Sequence, residues 1–282
     1  MTAPHRLSIV LLLVFGPFQP AAGQPGSPPD TVIVRSGTSL LRALLWRPSG
    51  AGRFPGVLIN HGSYRSGEPL GPNDPGKIGP VFAGHGYVCL VLFRRGTGPS
   101  ADQGPPEGEV MAQALARDGP AGRNRAQLEL LEGEALAEAG AGLAYLRTLP
   151  MVDPRRIVLV GHSFGGSLSI LLAAGDTTIP AVVLFGAAAA SWGPSPALRA
   201  RLLAAVRRAR ARFFIIHAAN DYSLAPGEAL AAELRRIGRP YRLKIYPPVG
   251  STTRAGHNFV FLSVAAWQDD VLAFLRGPSR AP

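Results

Sequence analysis

The sequence predicts a single α/β domain, in which helices flank a mostly parallel sheet of eight strands. From residue 31 to residue 277, apolar runs of strand length alternate with segments of helical spacing, and no linker interrupts this alternation. Of the 282 residues, 46% are hydrophobic and 17% are charged, so the chain holds enough apolar material for a full core. Its 34 glycines and 27 prolines follow no fixed period, which excludes a collagen-like or disordered polymer.

Eight apolar runs carry the strand prediction. The first two are expected to form an antiparallel pair at the start of the domain. The later runs are rich in valine, leucine and isoleucine, as is typical of parallel strands that are buried on both faces. In chain order, the predicted strands are 31–35, 40–47, 55–60, 87–93, 156–160, 181–185, 213–216 and 243–246.

Helices are predicted between the strands. The longest, 124–149, carries leucine and alanine at helical spacing and ends at Pro150. Segment 96–123 is too long for an ordinary strand-to-helix connection, so we expect a lid or binding loop around a short helix at 107–117. The other predicted helices are 78–84, 166–174, 197–211, 226–237 and 264–275.

The N-terminal residues predict export from the cytoplasm. A short basic region precedes an apolar run at 7–18, which is too short for a membrane span of about 20 residues. Small residues at 21–23 suit a signal peptidase. We therefore expect a signal peptide at 1–23, a linker at 24–30 and the folded domain at 31–277. The mature chain is expected to be periplasmic or secreted without a stable membrane span; the alternative is an uncleaved anchor.

Composition also limits the partners and cofactors. The net charge of +11 comes mostly from scattered arginines, and the densest stretch, 199–212, has no interleaved aromatic residues for base stacking, so no nucleic-acid partner is expected. The single cysteine, Cys89, lies in an apolar run and excludes both an intramolecular disulfide and a cysteine metal cluster. No zinc-protease, Walker-type or dinucleotide-binding motif is present, and we expect neither a cofactor nor a metal.

The strongest chemical signal is the sequence Gly-His-Ser-Phe-Gly at 161–165. It directly follows a predicted strand and precedes an apolar helix, which is the context of a nucleophile elbow. So sharp a turn leaves no room for side chains two residues on either side of the nucleophile, which explains Gly161 and Gly165. The hydroxyl of Ser163 is then held at the tip of the turn and needs a base within hydrogen-bond reach.

Two histidines follow this motif. His257 lies in a loop before the last helix, where it can approach the sheet edge, and it is the predicted base. His217 lies within an apolar strand, and we interpret it as a satisfied core histidine. Asp221 follows the same strand at its carboxyl end, where open α/β sheets place their ligands, and is the predicted acid; the alternative is an ordinary surface-turn aspartate. Asp269 and Asp270 lie in the middle of a predicted helix, and a helix face is an unsuitable position for an acid that must reach His257.

An oxyanion that forms during acyl transfer needs two preorganised N–H donors. One is predicted to be the amide of Phe164, the residue after the nucleophile. The other is expected from the loop after an early strand, with Ser63 as the first candidate and Tyr64 as the second. His61 is interpreted as a structural residue that packs this loop.

These residues, in the order Ser163, Asp221, His257, resemble the α/β-hydrolase superfamily. The resemblance is closest to its dienelactone-hydrolase-like and prolyl-oligopeptidase-like branch. The matching pieces are 61–62, 86–88, 94–98, 152–154, 161–166, 220–221 and 256–257.

The resemblance implies an α/β-hydrolase fold, cofactor-free hydrolysis of an ester, lactone or similar acyl bond, and triad roles for Ser163, Asp221 and His257. Dienelactone hydrolases proper look to use a cysteine nucleophile, so their lactone substrate does not carry over to Ser163. The oligopeptidases have a large N-terminal propeller for which this chain has no room, so activity on large peptides is not expected.

The expected function is therefore that of a serine esterase that forms an acyl-enzyme on Ser163 from a small-molecule acyl substrate. A small peptidase or an acyltransferase could use the same residues, and a non-catalytic binding protein is a further alternative. Pocket walls are expected from 64–75, 96–123 and 188–196. Arg65, Arg94 and Arg95 are expected to be exposed to solvent, although they could also favour an anionic substrate.

Overall fold

A computed structural model describes residues 28–277. Its strands are Asp30–Ser36 (β1), Ser39–Trp46 (β2), Phe54–Asn60 (β3), Val88–Leu92 (β4), Val152–His162 (β5), Ala181–Phe185 (β6), Arg212–Ala218 (β7) and Tyr241–Tyr246 (β8). They form one sheet in the order β1-β2-β4-β3-β5-β6-β7-β8. β2 is antiparallel to both β1 and β4, and every other neighbouring pair is parallel. The prediction of a mostly parallel eight-stranded sheet with an antiparallel opening pair is confirmed.

Strand boundaries lie within two residues of the predicted ones except in β5, which begins at Val152 rather than at residue 156. Among the extra residues at the start of β5, Pro154 and Arg155 are exposed and Asp153 is half-buried, so no apolar run marks this part of the strand. The central strands are buried as predicted, and every residue of β4 and β6 is shielded from solvent.

The α-helices of the described residues cover both faces of the sheet. They are Gly79–Ala83 (α1), Glu107–Glu132 (α2), Glu134–Thr148 (α3), Phe164–Gly175 (α4), Pro196–Arg208 (α5), Ala225–Arg236 (α6), Thr253–His257 (α7), Phe259–Leu262 (α8) and Val264–Arg276 (α9). Consecutive side chains of a strand point to opposite faces, so Leu58 joins one apolar core while its neighbours Val57 and Ile59 join the other.

Two of the predictions about the helices and their connections need correction. The single helix expected at 124–149 is wrong: Gly133, at φ −113° and ψ −112°, separates α2 from α3. The long connection at 96–123 is largely helical, because α2 already begins at Glu107 and continues past an irregular residue, Gly119, at φ +67°. The helix predicted at 107–117 is the first part of α2.

The expected signal peptide at 1–23 lies outside the described residues. β1 begins at Asp30, the last residue of the expected linker. Between residues 28 and 277, no helix combines the length and the apolar character that a membrane crossing requires.

Candidate active site

Ser163 occupies a sharp turn between the end of β5 and the start of α4. Its backbone has φ +54° and ψ −117°, a left-handed conformation that non-glycine residues rarely adopt. The turn is possible because its neighbours lack side chains: a Cβ atom on Gly161 would collide with the carbonyl of Gly165, and one on Gly165 with the carbonyl of Asn60. The steric reason given for these glycines in the sequence therefore holds in the structure.

The three side chains predicted to act together are in contact. His257 Nε2 lies 2.8 Å from Ser163 Oγ, and His257 Nδ1 lies 2.7 Å from Asp221 Oδ1. An ionised carboxylate can only accept, so Nδ1 carries the ring proton and Nε2 is free to accept the serine hydroxyl. The result is a continuous hydrogen-bonded chain from Asp221 through His257 to a partly exposed Ser163.

Asp221 is 8% exposed, yet it is strongly favoured as a carboxylate. Burial acts to raise its pKa, but hydrogen bonds from His217 and His257 outweigh burial and hold the pKa of Asp221 well below its usual range. The N–H of Tyr222 also donates to Oδ1, at 2.7 Å. A permanently ionised acid at this position stabilises a protonated His257.

His217 contributes a contact that sequence reasoning missed. It is buried in β7, as expected of a core histidine, but its Nδ1 lies 2.8 Å from Asp221 Oδ2. The two residues are four apart, a spacing that brings side chains together on a helix and carries no such signal at the end of a strand. It is the turn after β7 that brings the carboxylate of Asp221 within hydrogen-bond distance of the His217 ring.

His162, the variable position of the Gly-x-Ser-x-Gly motif, also contacts the base. Its Nε2 donates to the backbone carbonyl of His257 over 2.9 Å, and the two rings lie 4.9 Å apart. Burial, with a smaller contribution from His257, lowers the pKa of His162 to about 3, so its ring is neutral. The motif alone gave no signal for this contact.

The loop 61–64 lies against the nucleophile. A Cβ atom on Gly62 would lie 3.1 Å from His162 Nδ1 and 3.4 Å from Ser163 Cβ, so a side chain there would be tightly packed against the nucleophile turn. The backbone N–H groups of Ser63, Tyr64 and Phe164 donate to no other group within residues 28–277. No protein acceptor in this part of the chain therefore competes for these three candidate donors.

A cavity of about 310 Å³ opens beside Ser163. Its walls combine polar and apolar side chains, and Arg254 pairs with Glu68 over 3.1 Å. The lining residues are Gly62, Ser63, Tyr64, Glu68, Asn73, His162, Ser163, Ala190, Tyr222, Arg254, His257, Asn258 and Phe261. The expected walls at 64–75 and 188–196 both contribute, whereas segment 96–123 does not.

The three arginines considered as substrate contacts do not line this cavity. Arg65 is exposed, as expected. The expectation of solvent exposure is wrong for Arg94, whose side chain is 1% exposed and paired with Glu107, and Arg95 is largely covered by ion pairs with Glu134 and Glu138. Both residues lie just after β4, and each side chain is covered because it pairs with acidic residues of α2 or α3.

Cys89 is buried in β4, and burial raises the pKa of its thiol, which makes it unreactive. Within the described residues, no three histidine, cysteine or acidic side chains are grouped so that they could hold a metal ion.

The family model described as "Dienelactone hydrolase family" matches residues 41–261, which is most of the chain and includes Ser163, Asp221 and His257. The chain belongs to the dienelactone hydrolase family. The resemblance drawn from the sequence is thus confirmed, and this family member has an α/β-hydrolase fold in one domain.

Comparisons with individual proteins extend this result. This dienelactone hydrolase family member is 28% identical over 144 residues to the quorum-quenching protein AidA of Acinetobacter baumannii, covering 50% of this chain and 38% of that protein. It is 25% identical over 211 residues to the polyketide transferase grgF of a Penicillium species, covering 71% of this chain and 63% of that protein. The chain therefore spans less than two thirds of the length of these relatives.

The fold also matches that of a solved structure, an acylaminoacyl peptidase. The acylaminoacyl peptidase of Pyrococcus horikoshii superimposes with a TM-score of 0.61 at 15% identity, covering 89% of this chain and 41% of that one. This likeness shows a shared fold.

Proposed function

We propose that the protein is a serine esterase that cleaves a carboxylic ester of a small molecule through an acyl-enzyme on Ser163. The observation that carries the proposal is the unbroken chain of hydrogen bonds from Asp221 through His257 to Ser163, and Ser163 lines a cavity. A serine hydroxyl becomes an effective nucleophile when a neutral imidazole accepts its proton, and an ionised carboxylate stabilises the imidazolium that forms.

In the first half-reaction, Ser163 Oγ attacks the ester carbonyl carbon while His257 Nε2 takes the hydroxyl proton. The carbonyl oxygen becomes an oxyanion, which accepts hydrogen bonds from the amides of Phe164 and of Ser63 or Tyr64. When the tetrahedral intermediate collapses, the bond to the alcohol oxygen breaks, and His257 donates its proton to the leaving alcohol. The acyl group stays on Ser163 as an ester.

In the second half-reaction, water attacks the acyl carbon as His257 Nε2 takes one of its protons. The bond to Ser163 Oγ then breaks, the serine recovers the proton, and the carboxylic acid leaves. The volume of the cavity, about 310 Å³, favours a compact acyl group over a polymer chain. The N-terminal sequence pattern at 1–23 supports the further proposal that this hydrolysis takes place outside the cytoplasm.

A transferase is the second candidate, because one relative is described as a polyketide transferase. Such an enzyme would use the same acyl-enzyme but pass the acyl group to an alcohol or amine instead of water. The two reactions differ in the second half only, so product analysis in the presence of added acceptors separates them.

The test combines a fluorophosphonate probe with p-nitrophenyl esters of increasing acyl length. We expect the adduct on Ser163 by mass spectrometry, with faster turnover of the shorter esters. Ser163→Ala should lower kcat by about 10⁴-fold or more. Ser66→Ala, at an exposed serine outside the cavity, is the matched control and should retain full activity. Absence of labelling on any serine of the folded protein would favour a non-catalytic binding protein.

A further inference from the structure

Arg94 is a buried cation next to the candidate active site, and the proposed mechanism does not use it. It lies two residues after the end of β4, and its guanidinium forms an ion pair with Glu107, the first residue of α2. The two side chains are 1% and 3% exposed. Burying both charges is expensive in free energy, and replacement by apolar side chains often costs nothing, so stability alone gives little reason to keep such a pair.

The other polar contacts of this guanidinium are with the loop 61–64, and it also lies over the ring of Phe164, 5.5 Å from the ring centroid. Arg94 Nη2 donates to the carbonyl oxygen of His61 over 2.9 Å and to that of Gly62 over 3.0 Å. The pairing with Glu107 holds the guanidinium in place, so the two carbonyls face a fixed, charged donor.

His61 adds a second restraint on the carbonyl group of Gly62. The backbone N–H of Arg94 donates to His61 Nε2 over 3.1 Å, so Nε2 is the acceptor and Nδ1 carries the proton. Nδ1 then donates to the oxygen of Gly62 over 2.6 Å. Burial, together with the charge of Arg94, keeps the pKa of His61 far below its ordinary value, so this neutral form persists.

The direction of the Gly62 carbonyl determines the direction of the next N–H. In a trans peptide the C=O of one residue and the N–H of the following residue point in opposite directions. The Gly62 oxygen points to Arg94, which is buried and does not line the cavity. The N–H of Ser63 therefore points the other way, to the cavity that Ser63 lines beside Ser163.

We propose that Arg94 is a positioning residue that aims the Ser63 N–H at the developing oxyanion. The peptide between Ser63 and Tyr64 lacks this restraint, because the carbonyl oxygen of Ser63 accepts no hydrogen bond from the described residues. The geometry therefore favours Ser63 over Tyr64 as the second donor. This inference rests on the proposed esterase function and concerns the transition state of that reaction.

The neighbouring pair of Arg95 and Glu138 provides a matched control. It lies at the same end of β4 and is also largely buried, but it ties the strand to α3 and has no contact with the loop 61–64. Arg94→Met/Glu107→Leu and Arg95→Met/Glu138→Leu each remove one ion pair and leave apolar side chains. A purely structural role for Arg94 would give the two double variants the same activity.

The experiment measures kcat and KM on a p-nitrophenyl ester, and the affinity for a trifluoromethyl ketone, which forms an oxyanion on Ser163. The alcohol analogue of that ketone reports binding without an oxyanion. For Arg94→Met/Glu107→Leu we expect kcat and the ketone affinity to fall about tenfold or more, while KM and the alcohol affinity stay within about threefold. The control should keep wild-type kcat and ketone affinity.

Arg94→Lys covers the case in which the double variant does not fold. Its ammonium can pair with Glu107 but cannot also donate to both carbonyls, so a parallel decrease in kcat and ketone affinity is expected. Unchanged values in Arg94→Lys, or equal losses in the two double variants, would overturn the proposal. Failure of the esterase itself is a separate result, because the wild-type protein would then neither turn over the ester nor bind the ketone.

Discussion

His217 and Asp221 form a buried hydrogen bond of 2.8 Å, and each side chain is 1% exposed. This bond occupies Oδ2 of the carboxylate, which leaves Oδ1 to accept from His257 and from the N–H of Tyr222. The ring of His217 has little freedom, since a Cβ atom on Gly227 would lie 2.8 Å from its Cδ2 and Nε2. Because both carboxylate oxygens are held, Asp221 cannot rotate away from His257.

Removal of this donor should therefore impair activity through the geometry of Asp221. His217→Asn places an amide nitrogen where Nδ1 lies and should retain most of the wild-type kcat/KM, whereas His217→Leu removes the donor and should lower it by about tenfold to hundredfold. The downfield NMR signal of the His257 Nδ1 proton provides an independent measure, with a shift expected in His217→Leu only. Equal activity of the two folded variants would show that the contact is merely part of the core.

Acid should destabilise the protein from just below neutral pH. His61 and His162 are buried with lowered pKa values, and that of His162 is about 3 against an ordinary 6.5. Below pH 6.5 the unfolded chain binds a proton at each of these positions while the folded protein does not, so stability falls as the pH falls. Each histidine contributes about 1.4 kcal/mol per pH unit. The lowered pKa of Asp221 acts in the same direction below its ordinary value of 3.8.

Urea unfolding at pH 7.5, 6.0 and 5.0 measures this effect. The free energy of unfolding should decrease at each step below pH 6.5, and His162→Gln, whose amide nitrogen can still donate to the carbonyl of His257, should show a shallower decrease. An identical pH dependence in the wild type and in His162→Gln would contradict the assignment of His162 as a buried neutral histidine.

Gly186 is the position at which a single methyl group should disable the site. Its φ is +56°, and a Cβ atom there would lie 2.9 Å from Asp221 Oδ2 and 3.0 Å from His257 Nδ1. Gly186→Ala should thus displace the acid from the base and lower kcat at least about tenfold, on the basis that small misplacements have large catalytic effects. Gly238→Ala is the control, because φ is +65° there and the space is open.

Both substitutions place alanine in a left-handed conformation, at a cost of about 1 kcal/mol in the free energy of unfolding. Thermal unfolding should show a loss of stability in each, while the esterase assay should show a loss of activity in Gly186→Ala alone. Comparable activity in the two variants would mean that the side chains around Gly186 move aside without harm.

The sequence predicted the parts of this structure that depend on local pattern. Apolar runs located the strands, and the glycines at 161 and 165 identified the turn at Ser163. The contacts of His217 with Asp221, of His162 with His257 and of Arg94 with Gly62 were not predictable, since each joins side chains through tertiary geometry that no spacing records. The break at Gly133 was missed for another reason: leucine and alanine continue at helical spacing on both sides of it.

The ion pair of Glu68 and Arg254 should set the charge preference of the cavity, because both residues line it and both are partly exposed. Glu68→Gln leaves Arg254 uncompensated, so kcat/KM for an ester that carries a carboxylate should rise about twofold to fivefold relative to a neutral ester of the same size. Arg254→Gln should lower the same ratio by a similar factor. These factors correspond to the modest energies of exposed charges. Both effects should weaken in 0.5 M NaCl, since salt screens exposed charges. Ratios that do not respond to either substitution would place the variable part of the substrate away from Arg254.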